Sequence, residues 1–422
     1  PVTGVQTCAL PISRVPNAPP ASLLEKTTVN SLYASRMGTI PKSFVREILK
    51  VTQDPEIISF AGGLPNPRFF PTREIAEAAA NALAEANGSA LQYGTTEGYA
   101  PLREYIADRY RRNEGLNVTA DEILITNGSQ QGLDLIGKAF LDKQDAIVIE
   151  QPGYLGAIQA FSAYEPRFHS VPLQADGVDI DRLAEVLRTH RVKFFHTVIN
   201  FQNPSGISYS ESKRAALADV LKPRDTPLIE DDPYKELHFE ATTRSSMRKW
   251  LGDRAVLLGS FSKIVAPGLR MGWVCAARET MEKLVVAKQA SDLHSNSFCQ
   301  RMLHRYLVRH DIDRHIATIR AAYKRQKETM LAAIEACFPA EISVTRPEGG
   351  MFVWATLPPR LSAIELFEHA VREKVVFVPG TPFFVDGGGT HNMRLNFSNA
   401  DENKIDEGIA RLGRIITKLL NR

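Results

Sequence analysis

Short apolar runs alternate with amphipathic stretches through the middle of the chain, from about residue 121 to 276. Runs at 122–126, 146–150, 194–199, 227–231, 255–259 and 271–276 are rich in Ile, Val, Leu and Phe and too short for helices. They predict β-strands. Strands spaced by helical patterns predict βαβ units around a largely parallel sheet, an α/β architecture. The Gly-rich segment after the first run opens a predicted helix over 133–141. From about residue 279 the period becomes helical, with charged amphipathic stretches through Lys288 and Arg301 to about Ala336. Runs at 341–344, 351–355, 375–378 and 392–397 then predict strands of a smaller α+β unit, with Asp386-Gly387-Gly388-Gly389 as a loop.

Composition narrows the class. A chain of 422 residues has room for two domains with sizeable cores. Its 51 basic and 48 acidic residues are interspersed, so the net charge of +3 offers no basic tract for nucleic acid. No apolar run approaches the roughly 20 residues that span a bilayer, so no membrane association is expected. Cys8, Cys275, Cys299 and Cys337 are far apart and lack metal-ligand spacing, which points to a reducing, cytoplasmic setting and no metal. Residues 2–13 read as translated sequencing adapter; they lack the basic flank of a signal peptide. The Pro-rich 16–20 stretch reads as loop. The expected organisation is a non-native or disordered leader over 1–25 and a segment over 26–60 packing with the small domain. A large domain over 61–300 and a small one over 301–422 follow.

In sheets of this kind ligands bind outside the carboxyl ends of the strands, and those ends carry the candidate chemistry. Ser260-Phe261-Ser262-Lys263 follows the 255–259 run, and Arg270 comes shortly after. An amine in an apolar niche is driven toward its neutral, nucleophilic form. Two hydroxyls and a guanidinium beside it suit a phosphate monoester. Together they point to a Schiff base with a phosphorylated aldehyde, of which pyridoxal phosphate is the common one. A solvated lysine is the plain alternative. Ser260-x-x-Lys263 also fits the pattern of acyl-serine enzymes, but no K-T-G segment accompanies it.

The other strand ends add candidates, each with a simpler reading beside it. Asn127-Gly128-Ser129-Gln130-Gln131-Gly132 opens a helix and forms an anion site or an ordinary N-cap. Gln151-Pro152-Gly153-Tyr154 is a turn whose Tyr154 ring could lie on a flat heterocycle. Asn203-Pro204-Ser205-Gly206 is a turn in which Asn203 could donate to a phenolate oxygen. Glu230-Asp231-Asp232 places three acids after an apolar strand, where they repel unless a cation faces them. A protonated pyridine nitrogen is such a cation; a divalent metal is the lesser reading, since His196 and His238 lack ligand spacing. Arg394, in an alternating strand, is either a surface residue or a bidentate grip on a substrate carboxylate.

With these segments in order, the chain resembles the fold-type I pyridoxal-phosphate aminotransferases of class I/II. Within them it resembles the branch of 2-aminoadipate and kynurenine aminotransferases. The resemblance runs from about Ser43 to the C-terminus and includes Val45-Arg46-Glu47-Ile48-Leu49-Lys50, Ser59-Phe60-Ala61-Gly62-Gly63-Leu64-Pro65, Gln92-Tyr93-Gly94 and Glu97-Gly98. It implies a three-layer α/β/α domain with a mostly parallel mixed sheet, and ping-pong transfer of an amino group from an α-amino acid to a 2-oxo acid such as 2-oxoglutarate. By the same resemblance Lys263 carries pyridoxal 5′-phosphate and moves the substrate proton. Asp231, rather than Asp232, pairs with the ring nitrogen, Asn203 and Tyr234 bond the phenolic oxygen, and Tyr154 stacks on the ring. Ser129, Gln130, Ser260, Ser262 and Arg270 hold the phosphate, and Tyr93 reaches the cofactor of the other subunit of a homodimer. Arg394, Asn203 and Gly63 border the substrate.

The segment Ser35-Arg36-Met37-Gly38-Thr39-Ile40-Pro41-Lys42 departs from the adipate-specific pattern, so Arg36 and Lys42 either face an acidic side chain or are solvated. Two rival functions stay open. One is a lyase or decarboxylase on the same cofactor; the other is the aminotransferase-like effector-binding module of a transcription regulator, although the residues before the match are too few for a DNA-binding domain.

Overall fold

The computed structural model describes residues 32–38, 40, 54, 56–85, 87–240 and 244–422. The leader 1–25, the 16–20 loop, Lys42 and the 45–50 motif lie outside the described residues. The chain forms two compact units, 1–40 and 41–422. In the first, Ser35–Gly38 makes one 3-10 turn, exposed throughout. The rest concerns the second.

Its strands, in chain order, are β1 (Ile58–Ser59), β2 (Ile123–Thr126), β3 (Ala146–Gln151), β4 (Arg167–Gln174), β5 (Gly177–Val178), β6 (Val192–Thr197), β7 (Leu228–Asp231) and β8 (Ala255–Ser260). They continue with β9 (Gly272–Cys275), β10 (Ser343–Val344), β11 (Phe352–Thr356), β12 (Val375–Val376), β13 (Val378–Pro379) and β14 (Asn392–Asn396). The large sheet has eight strands in the order β2-β9-β8-β7-β6-β3-β4-β5. Its pairs from β8 through β7, β6 and β3 to β4 are parallel. β9 runs antiparallel to both β2 and β8, so those two point the same way.

Side-chain alternation divides this sheet between two cores. Ile123, Ile125, Val148, Phe195, Leu228, Leu257 and Cys275 pack into one cluster. Their neighbours Leu124, Ile147, Phe194, Ile229, Val256, Leu258 and Val274 pack into the other. Helices cover both faces: Ser129–Phe140, Leu155–Ser162 and Arg278–Gln289 bury their apolar sides in the second cluster, while Ala100–Glu114, Ile180–Thr189 and Glu211–Leu221 bury theirs in the first. A sheet buried on both faces needs near-continuous apolar strands, which is why β2 and β8 read as runs that are apolar up to their last residue. The result is a three-layer α/β/α domain with a mostly parallel mixed sheet. β10-β11-β14-β13 form a separate four-stranded sheet, and β1 pairs with β12. No helix among the described residues is long and apolar enough to cross a membrane.

Several elements differ from the sequence pattern. β4 and β5 are additional strands. β4 is polar along much of its length and contains Pro172, which suits a strand covered on its outer side only at Leu173 and Gln174 by β5. The helix expected at 133 starts at Ser129, because Gly128 at φ +77° lets the chain turn directly into it. The run 375–378 divides at Phe377, its first half pairing with β1 and its second with β14.

Candidate functional site

Because β2, β3, β6, β7 and β8 point the same way, the segments that follow them converge on one edge of the sheet. Register tightens this: Gly272 of β9 sits opposite both Thr126 and Ser260, drawing the ends of β2 and β8 together. A Cβ at Gly272 would lie 2.7 Å from the Gly128 carbonyl carbon and the Ser129 nitrogen, so only glycine permits this approach.

Lys263 lies just beyond β8, half-buried, with Nζ donating to the Gly63 carbonyl at 2.7 Å. Burial above all, then the positive charges of Arg394 and Arg270, lower its pKa from 10.5 to about 8. Ser260 and Ser262 are buried beside it, with the Ser262 N–H donating to Ser260 Oγ at 3.1 Å. Arg270 has φ +51° and donates from Nη2 to the Asn127 carbonyl at 3.4 Å. A Cβ on Gly128 would lie 2.5 Å from that Nη2, so the guanidinium rests against the glycine backbone. Ser129 and Gln130 are the first two residues of their helix, where backbone N–H groups have no intrahelical acceptor. The Gln130 side chain itself donates to the Gly156 carbonyl at 2.8 Å. Hydroxyls, free amides and a guanidinium thus meet at one point, a donor set fit for a phosphate.

Asp231 ends β7 fully buried, and neither carboxylate oxygen has a hydrogen-bond partner in the protein. Its nearest cationic candidate is His196 Nε2 at 3.8 Å from Oδ2, also without a partner. Asp232 differs: Asn200 Nδ2 donates to one oxygen at 2.6 Å and the Lys235 N–H to the other at 3.1 Å. Burial raises the Asp232 pKa to about 7. A buried carboxylate with no partner is costly, so Asp231 is the oxygen pair that needs a cationic or N–H ligand.

Asn203 Nδ2 donates to the Tyr234 hydroxyl at 3.4 Å, and its Oδ1 accepts from Arg394 Nη1 at 2.7 Å. Arg394 Nη2 donates to the Ala61 carbonyl at 2.6 Å, while Nε has no partner. The guanidinium lies 4.4 Å from the Phe352 ring centroid and 5.4 Å from that of Phe383. Buried by these rings, its pKa falls from 12.5 to about 10. Lys263 Nζ is 6.0 Å from the Tyr234 ring centroid. Tyr154 caps the helix Leu155–Ser162, its ring against Gly156. Burial raises the Tyr154 hydroxyl pKa, and Tyr234 and Asp231 raise it further, which sets all three within one electrostatic neighbourhood. Tyr93 stands apart from the group. It is 79% exposed, edge-on to His294 at 5.7 Å, and lines a broad open hollow of about 1270 Å³ with Ser297, Gln300 and Arg301.

Sequence reasoning passed over a supporting residue. Glu150, at the end of β3, is buried and accepts from Thr197 Oγ1 at 2.5 Å, Tyr209 Oη at 2.8 Å and Gln202 Nε2 at 3.1 Å. Gln202 also donates to the Pro152 carbonyl at 2.7 Å, so one carboxylate ties the Tyr154 turn to the Asn203 turn. A carboxylate inside the apolar run Ile147-Val148-Ile149-Glu150 was the available signal.

Comparison with known proteins agrees with this geometry. The family model for aminotransferase class I and II matches residues 59–412. The chain is 44% identical over 392 residues to the 2-aminoadipate transaminase of Thermus thermophilus, covering 92% of this chain and 97% of that one. The solved α-aminoadipate aminotransferase of Thermus thermophilus, complexed with N-(5′-phosphopyridoxyl)-L-leucine, superposes with a TM-score of 0.86 at 42% identity, over 92% of this chain and 98% of that one. The kynurenine aminotransferase of Pyrococcus horikoshii, in complex with PMP, gives 0.87 at 39%, over 92% and 97%. By sequence and by fold, the chain belongs to the class I and II aminotransferase family.

Proposed function

We propose that, in this pyridoxal-phosphate-dependent aminotransferase, the strand-end cluster around Lys263 is the active site, with 2-oxoglutarate as the acceptor. The observation that carries the assignment is Asp231, whose buried oxygens lack any partner in the protein. When bound, the cofactor supplies an aldehyde carbon for the lysine and a protonated ring that draws electrons from the substrate's Cα. Asp231 accepts the ring N–H and keeps it protonated. Ser129, Gln130, Ser260, Ser262 and Arg270 take the phosphate. Asn203 and Tyr234 donate to the phenolic oxygen, and Tyr154 covers the ring. Arg394, held near the Phe352 and Phe383 rings, receives the substrate's α-carboxylate beside Gly63. Lys263 is the proton carrier: with a pKa near 8, its Nζ is basic enough to take the Cα proton and acidic enough to return it.

Supplied with pyridoxal phosphate and a panel of amino acids, the protein should form glutamate only when 2-oxoglutarate is also present. Continued turnover well beyond one equivalent of product per site, with no oxo acid added, would sink this reading in favour of a lyase or decarboxylase. We further propose a homodimer in which the exposed Tyr93 reaches the partner's cofactor phosphate; a monomer in sedimentation at working concentration would exclude it. Free Cys275, Cys299 and Cys337 support placement in a reducing cytoplasm. We retain the division into a large domain over 61–300, which contains the eight-stranded sheet, and a small one over 301–422, which contains the four-stranded sheet.

A further inference from the structure

Behind the loop that carries Ser129 and Gln130 lies a ring of polar contacts that none of these roles uses. Lys288, near the end of the helix Arg278–Gln289, is fully buried. Its Nζ donates to Gln131 Oε1 at 2.9 Å and to Asp292 Oδ1 and Oδ2 at 2.9 and 3.0 Å. Asp292 Oδ2 also accepts from Gln131 Nε2 at 2.6 Å and from Asn127 Nδ2 at 2.7 Å. Gln131 Oε1 closes the ring by accepting the Asn127 N–H at 2.8 Å.

Asn127 and Gln131 flank Gly128-Ser129-Gln130. Asn127 is therefore held by its side chain and its backbone, one residue before the left-handed turn at Gly128. Its carbonyl accepts from Arg270. Four of the six bonds thus end on the residues bracketing the anion-binding turn, and the other two join Lys288 to Asp292. Core stability alone does not call for such a pair. The same helix already buries Met281, Leu284 and Ala287, and an apolar residue at 288 would pack there without the cost of desolvating a charge. Because Lys288 and Asp292 neutralise each other, the pair shapes the socket without competing for its anion.

We propose that the Lys288–Asp292 pair is a positioning device for the cofactor phosphate, holding Asn127 and Gln131 so that the N–H groups of the first helical turn and Arg270 converge. This rests on the assignment of Ser129, Gln130, Ser260, Ser262 and Arg270 as the phosphate socket. The test compares pyridoxal phosphate with pyridoxal, which lacks the phosphate, on cofactor-free wild type, Asp292→Asn and the double variant Lys288→Met/Asp292→Asn. The double variant leaves no unpaired buried charge and guards against misfolding of the single one. Dissociation constants are read from cofactor absorbance, and kcat at saturating pyridoxal phosphate.

By analogy with residues that orient ligands from behind, the constant for pyridoxal phosphate should rise about tenfold or more in both variants. That for pyridoxal should change less than about twofold, and kcat at saturation should be kept within a similar factor. Equal losses for both aldehydes would mean a general structural role and overturn the proposal, as would no loss for either. If wild type itself bound pyridoxal as tightly as its phosphate, the socket assignment would fail first, and that result is visible without any variant.

Discussion

The depressed pKa of Lys263 makes a prediction about how the cofactor is captured. An ordinary lysine is almost wholly protonated at neutral pH and reacts slowly with aldehydes. Here the drop from 10.5 to about 8 corresponds to roughly 3 kcal/mol in favour of the neutral amine. At pH 7 that enriches the neutral form about 300-fold over a free lysine side chain. The sign follows from the charge: burial and two nearby guanidiniums disfavour the ammonium, so the reactive form accumulates as pH rises through 8 rather than through 10.5. Capture of pyridoxal phosphate by the cofactor-free protein, followed by stopped-flow from pH 6 to 10.5, should therefore show its inflection near pH 8. A lysine peptide run in parallel divides out the aldehyde's own titration. Replacing Arg394 by Gln removes the second-largest cause of the shift, so the inflection should move up but stay below 10.5, because burial is the largest. An inflection near 10 in the wild type would refute the reasoning, and so would a downward move in Arg394→Gln.

Two other substitutions test separate parts of the site. Arg394→Lys keeps the charge but loses the planar fork, and should lower kcat/KM for amino acids by about 10- to 100-fold; steady-state kinetics with an unchanged ratio would remove Arg394 from the carboxylate site. Glu150→Leu removes the acceptor of the Tyr209 hydroxyl and the Val198 N–H and one of the two acceptors of the Thr197 hydroxyl and of the Gln202 amide, at a cost of about 3 kcal/mol or more. The melting temperature should fall by several degrees, and an unchanged melt would show that the bracket between the Tyr154 and Asn203 turns carries no stability.

The large sheet was legible because its inner strands are buried on both faces. Ala255–Ser260 is wholly buried and apolar up to its last residue, and the wholly buried Leu228–Asp231 turns polar only at its carboxyl end, because burial on two sides leaves no alternating polar position to blur the run. β4 escaped notice for the converse reason. Arg167, His169, Ser170 and Gln174 sit where one side of the strand lacks a full neighbour, and Pro172 is tolerated there because no inner ladder needs its N–H. The run 375–378 was legible as extended chain but not as two pairings. Four apolar residues do not reveal that β12 joins β1 while β13 joins β14, since that choice is made by segments far away in sequence.

The candidate site divides in the same way. Tyr154, Asn203, Asp231 and Lys263 could each be picked out as candidates from one short segment, because a parallel sheet sends the ends of its strands to the same edge. Their supports could not be found this way, because each support is a contact between distant segments: Glu150 with Tyr209, 59 residues on, and Lys288 with Gln131, 157 residues back. What the sequence does show is one half of each. A carboxylate in Ile147-Val148-Ile149-Glu150, or a lysine four residues after Leu284 on the buried face of a helix, must find a partner or destabilise the fold. Such a residue states that a polar network exists without naming its members. Both of these networks lie directly behind turns of the proposed site, Glu150 behind Tyr154 and Asn203, Lys288 behind Ser129 and Gln130. That placement has a physical reason. A turn at a sheet edge has few ladder hydrogen bonds of its own, and a loop that must hold a ligand to within a fraction of an ångström needs rigidity from somewhere else. A buried charge with several hydrogen bonds supplies it with directionality that apolar packing lacks. A lone charge in an apolar run is therefore a pointer to the loop it braces, and the distance to that loop along the chain carries no information about it.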